Sequence, residues 1–259
     1  MKRSVVVLIA FVVMLAGVQT VQANTLGLNI TVADGFAVVG YNGIGQGGED
    51  NETEGTPNTI QSQDWDLEGV FLNGNILAMV GGFKFDTGVY HGSTWYTSGD
   101  IFIDVKNSGQ LWDYAIRMNF GSTNRYDVLD LSNLTTFVVP TDVPLSTPWR
   151  VNSNYTYLSQ NNVFTFGLIT DSGFSGWQSV NPGSDGDPHW VKGQDKHYVV
   201  DGFNLGFLGS GANNFSTHFT MKCGNDLLIG EHTAVPEPTS ILLLGLGLTG
   251  LALRIRRKA

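Results

Sequence analysis

Short segments rich in β-branched and aromatic residues recur along the chain, separated by Gly, Asn, Asp, Ser and Pro. They predict strands over 36–41, 69–72, 77–85, 100–105, 114–120, 126–129, 135–139, 155–158, 163–169, 198–205, 215–221 and 227–229. Several alternate with a period of two. Ile101, Ile103 and Val105 bracket Phe102 and Asp104, and in 215–221 polar residues fall mostly between apolar ones. Nothing in 24–238 sustains a 3.6-residue apolar period over three turns. About a dozen short strands with Gly-rich turns predict an all-β domain, a β-sandwich of jelly-roll-like type. Two polar stretches, 43–63 and 172–194, read as long loops.

The two ends break this pattern. Lys2 and Arg3 precede an apolar run over 5–18, and Val21-Gln22-Ala23 places small residues at the −3 and −1 positions of a cleavage site. This predicts a secretory signal peptide over 1–23, cut after Ala23, and export by the Sec route. At the other end Pro236-Glu237-Pro238 is followed by an apolar run over 241–253 and by Arg254, Arg256, Arg257 and Lys258. As a helix the run rises about 20 Å, short of a bilayer core of about 30 Å. It predicts a short C-terminal transmembrane helix with the basic cluster left in the cytoplasm as a stop. A plain C-terminal anchor is the alternative. The chain thus divides into a signal peptide (1–23), an extracellular domain (24–234) and a tail (235–259).

The order of triplet, short span and basic stop resembles the PEP-CTERM sorting signal of bacterial exosortase substrates. Two inner stretches also look like pieces of such proteins: 216–230 (STHFTMKCGNDLLIG) and 98–114 (SGDIFIDVKNSGQLWDY). The resemblance implies export, a membrane stage before processing, transient handling by an exosortase, and residence at the envelope surface or in an extracellular, biofilm-type matrix with exopolysaccharide. It implies no single biochemical activity.

Removing the ends changes the charge. Residues 24–238 carry all 23 acidic residues and 8 basic ones, a formal charge of −15. Such a domain repels nucleic acid and anionic head groups, which leaves cations or neutral polymers as partners. The lone Cys223 excludes an internal disulfide and reads as a small buried residue near a sheet.

Motifs for chemistry are sparse. Gly43, Gly45 and Gly48 satisfy G-x-G-x-x-G, but Glu49, Asp50, Glu52 and Glu54 follow where a phosphate-binding helix must start. No G-x-S-x-G, S-x-x-K or H-E-x-x-H is present. The histidines show no metal-ligand spacing, and His218, with polar neighbours on its side of a strand, reads as a surface residue. Asp185-Gly186-Asp187 offers two carboxylates to calcium from one turn, with a solvated turn as the alternative. The stretch from Asp104 echoes a calcium loop, but Lys106 and Ala115 stand at ligand positions, so a hairpin turn at 107–109 is expected.

Trp177 and Trp190 lie in the long polar loop and are candidates for stacking on sugar, with packing of the loop as the alternative. Trp112, at a strand entrance, is expected in the core. The expected function is structural or adhesive and non-enzymatic, without an obligate cofactor. The rivals are a secreted polysaccharide-active hydrolase and a calcium-dependent carbohydrate-binding module.

Overall fold

Apolar alternation becomes a two-sheet architecture in the computed structural model, which describes residues 26–32, 63–106, 108–133, 136–142, 146–170 and 196–234. Its strands, in chain order, are β1 (Leu28–Asn29), β2 (Leu67–Asn73), β3 (Ile76–Gly81), β4 (Val89–His91), β5 (Thr94–Tyr96), β6 (Ile101–Val105), β7 (Tyr114–Asn119), β8 (Arg125–Asp130), β9 (Thr136–Val138), β10 (Arg150–Ser153), β11 (Thr156–Val163), β12 (Thr165–Thr170), β13 (Lys196–Asn204), β14 (Asn214–Thr220) and β15 (Leu227–Thr233). One sheet runs β1-β2-β3-β13-β12 and the other β11-β8-β7-β6-β14-β15. Every strand pairing is antiparallel. The order β14-β6-β7-β8 is that of a Greek key, in which a fourth strand returns by a long connection beside the first. The fold is therefore all-β.

One core holds the two sheets together. Val70, Leu77, Met79, Val200 and Phe203 come from the five-stranded sheet, and Ile101, Ile103, Ile116, Val128, Phe215 and Phe219 from the six-stranded one. Two bulges keep these side chains in phase. At Glu68 the register of β2 shifts, so Leu67 and Val70, three residues apart, both point inward. At Gly202 (φ +109°) β13 shifts in the same way and turns Phe203 toward Leu77. This breaks the simple period of two and explains why the first of these strands is visible in the sequence only from residue 69.

Two expected strands differ in kind or extent. The predicted strand 163–169 is two strands: β11 ends at Val163 on one sheet, β12 begins at Thr165 on the other, and buried Phe164 turns the corner between them. The strand expected over 77–85 ends at Gly81, although Phe83 and Phe85 are buried in the core beyond it. Strand 36–41 lies outside the described residues, as do both long loops apart from Gln63.

The edge formed by β2 and β15 is bridged by a single segment. β1 pairs with β2, the Ile30 N–H donates to the Val70 carbonyl, and Val32 N and Glu231 N bond Ile229 O and Ile30 O respectively. The outer face of the six-stranded sheet is covered by the β9–β10 ribbon. There Phe102, Ala115, Leu129, Leu131 and Val151 form a second small core, with half-buried Trp112, Phe137 and Tyr155 packed on it. Trp112 is thus at the rim of this small core.

Among the described residues no helix is long and apolar enough to cross a membrane. The apolar run 241–253 lies outside them.

Candidate functional site

A buried polar cluster lies beneath the β9–β10 ribbon. Asp100, Phe102, Arg117 and His218 occupy alternate positions that face away from the main core. Asp100 is fully buried. Arg117 Nε donates to its Oδ1 at 3.1 Å and Nη2 to its Oδ2 at 2.8 Å. The same Nη2 donates to the Val151 carbonyl at 2.7 Å, and the Val151 N–H donates back to Asp100 Oδ2 at 2.9 Å. Arg150 Nε lies 3.5 Å from Asp100 Oδ1. Burial works against the charge of Arg117, but its bonds and attraction to Asp100, then to Tyr155, leave its pKa raised. A bidentate, charge-assisted pair of this kind fixes geometry as well as contributing energy.

His218 belongs to the same cover, which corrects its expected surface position. It does face outward from β14, as its polar neighbours indicated, but the segment 146–151 lies over that face. The ring is 5 % exposed, and its Nε2 donates to the Pro148 carbonyl at 2.9 Å. Phe102 and Trp112 pack against it. Burial pushes its pKa down to about 4, against the upward pull of the Pro148 and Ser146 carbonyls. It is therefore neutral at neutral pH. Asp100, Arg117 and His218 together clamp a ribbon to a sheet, and their polar atoms are turned to protein partners.

Cys223 is buried, as its type suggested, and burial is the largest influence pushing its thiol up to about 12, so it is a protonated, unreactive group at neutral pH. The β6–β7 connection is a hairpin: Ser108 N bonds Val105 O, Gly109 has φ +85°, and Asp113 Oδ2 accepts from Val105 N at 2.7 Å. Lys106 pairs with Asp104 at 3.5 Å. No group of three or more His, Cys, Asp or Glu among the described residues has metal-holding geometry.

A different kind of surface sits on the β4–β5 hairpin. His91-Gly92-Ser93-Thr94 makes a two-residue turn with Gly92 at φ +63°. Val89 and Tyr96 turn inward onto the main core, and His91 and Tyr96 pack edge-on against buried Trp65. Tyr90 and Trp95, directly opposed in the ladder, turn outward; each is 55 % exposed, with ring centroids 5.1 Å apart. Trp95 is the one exposed tryptophan among those described, since Trp65 is buried and Trp112 and Trp149 are half-buried. At the base, the Ser98 hydroxyl donates to the Phe85 carbonyl at 2.7 Å, and Lys222 N bonds Thr97 O. The sequence carried a signal for this hairpin: a Gly-Ser pair between two aromatic-rich triplets.

Trp177, Trp190, Asp185 and Asp187 lie outside the described residues, as do Ala23, Pro236, Glu237, Pro238, Arg254, Arg256, Arg257 and Lys258.

The PEP-CTERM protein-sorting motif matches residues 234–258. The match begins one residue after β15 ends, so the signal follows directly on the last strand of the six-stranded sheet. No curated protein and no solved structure matches the chain.

Proposed function

We propose that this exosortase substrate, exported to the cell envelope or surface, acts there as a structural or adhesive component associated with neutral extracellular polysaccharide. The sorting motif joined directly to an all-β domain is the observation that carries the proposal. The domain is taken as a β-sandwich of jelly-roll-related type, consistent with the Greek-key return of β14 beside β6. In this reading 1–23 is a Sec signal peptide, 241–253 a temporary membrane stop with Arg254, Arg256, Arg257 and Lys258 inside, and the mature domain part of a biofilm-type matrix.

The strong acidity of 24–238 favours an uncharged polymer over nucleic acid or anionic lipid. Binding without turnover is proposed as well: Asp100, the fully buried carboxylate of the clamp, is committed to Arg117 and Val151. Trp177 and Trp190 are proposed as polysaccharide contacts, and Asp185 and Asp187 as calcium ligands that rigidify their turn.

The direct test is cell fractionation of the chain with Pro236-Glu237-Pro238 intact or replaced by alanines. The proposal expects the intact protein at the surface and in extracted matrix polymer, and the altered one held in the membrane. Equal distribution of both, or release of reducing sugar from the polymer by the purified protein, contradicts it. Thermal melts with millimolar calcium and with chelator test the metal; identical midpoints remove it.

A further inference from the structure

We infer that the outer face of the β4–β5 hairpin, centred on Trp95 and Tyr90, is a stacking site for the sugar rings of a neutral polysaccharide. This rests on the polysaccharide association proposed above and supplies it with a site.

Each of the two rings leaves more than half of its surface open, although they already touch one another. A cross-strand aromatic pair steadies its own hairpin, but that role needs only the ring faces turned toward each other. The rest of this hairpin is well anchored: Val89 and Tyr96 pack inward, exposed His91 sets its edge against buried Trp65, and Ser98 is tied to Phe85. The two rings are thus held out on a fixed support, with the ordering cost of the site already met by the fold.

The surroundings select the ligand. Ser93, in the turn, and Thr97, just beyond β5, are exposed as Trp95 is, so the hairpin offers hydroxyls as well as ring faces to a ligand. Between Asp86 and Asp100 no Asp, Glu, Lys or Arg occurs. In a domain with 23 acidic residues the hairpin's own stretch is thus free of formal charge, and the carboxylate of Asp142 lies against Tyr96, whose ring packs toward the main core. An apolar ring face bordered by hydroxyls matches a sugar, which presents C–H bonds on its faces and hydroxyls at its edges. A second copy of the chain is a poorer occupant. Aromatic side chains bury about 150–250 Å² each, and two half-covered ones fall well short of the roughly 800 Å² per partner of a stable interface.

The test measures binding of the purified full chain to cellohexaose, maltohexaose and mannohexaose by calorimetry, together with Trp95→Ala, Tyr90→Ala, Trp95→Phe and the double variant Trp177→Ala/Trp190→Ala. The inference expects at least a tenfold loss of affinity in Trp95→Ala, a smaller loss in Tyr90→Ala, and retention in Trp95→Phe. It expects the melting midpoints of the hairpin variants to move by less than about 4 °C, because an exposed cross-strand pair contributes little. Binding that survives Trp95→Ala and is lost in the Trp177/Trp190 variant overturns the site while leaving the polysaccharide association intact. No binding of the unaltered chain to any of the three overturns both. A concentration-dependent dimer that Trp95→Ala abolishes, without any sugar response, assigns the face to protein contact and also overturns the inference.

Discussion

Replacing Arg117 with methionine should loosen the β9–β10 ribbon and destabilise the whole domain. The substitution keeps much of the side chain's apolar volume and removes the guanidinium. Asp100, fully buried, then loses both of its guanidinium hydrogen bonds and keeps the Val151 N–H at 2.9 Å and Arg150 Nε at 3.5 Å. Removing one partner of a buried ion pair costs about 3–5 kcal/mol, because the other charge stays behind without compensation. Arg117 retains a little solvent exposure and Arg150 gives partial relief, so the lower end, about 3 kcal/mol, is expected. For a domain of this size each kcal/mol moves the midpoint by about 2–4 °C, giving a fall of roughly 6–12 °C.

Thermal unfolding followed by circular dichroism measures it. Limited proteolysis locates it, since cleavage within 132–150 should accelerate before cleavage in the main sheets. The double variant Asp100→Leu/Arg117→Met should recover part of the loss, with a coupling of at least about 1 kcal/mol. A single variant that melts within 2 °C of the parent, or single effects that simply add, would refute the clamp.

Two further outcomes follow from the same region. His218 is held near 4 in the folded chain against about 6.5 when unfolded. The folded state therefore binds fewer protons between those values, and stability that is full above pH 6.5 is lost as pH falls toward 4. The contribution is about 3 kcal/mol. In His218→Gln, which can still donate to the Pro148 carbonyl, denaturant midpoints should change far less between pH 7 and pH 4.5, and an unchanged pH slope contradicts the assignment. Gly99→Ala places a methyl 2.4 Å from the Trp149 carbonyl oxygen and 2.5 Å from that of Thr220. The strands must move apart at a cost of about 1–3 kcal/mol, readable in urea melts, and a neutral substitution would mean that the close approach is not there.

Much of the fold was legible in the sequence as short runs rich in β-branched and aromatic residues. The strands at 101–105, 114–119 and 214–220 show this, although both of their faces are largely covered, one by the common core and the other by the ribbon. What was not legible arises where a second layer or an extra residue intervenes. His218 carries a surface pattern, yet a ribbon some seventy residues away in sequence covers it. Glu68 and Gly202 insert bulges that change the phase of β2 and β13. Phe164 turns one apparent strand into two on different sheets. Asp100 and Arg117 are unremarkable residues until pairing of β6 with β7 brings them together. The hairpin with Tyr90 and Trp95 was not among the expected strands, although its Gly-Ser turn between aromatic triplets marks it, and the outward direction of the two rings depends on what the other face packs against, which a sequence does not state.

The central claim is that the chain is exported and cut at both ends, and intact mass spectrometry of the protein recovered from its native cell surface tests it most directly. The expected species starts at Asn24 and ends within or just before the sorting motif, so that residues 1–23 and the tail beyond Pro238 are missing, with any attached group adding to the C-terminal end. A mature chain that still ends in Ala259 would contradict exosortase processing and leave the C-terminal segment as a plain membrane anchor.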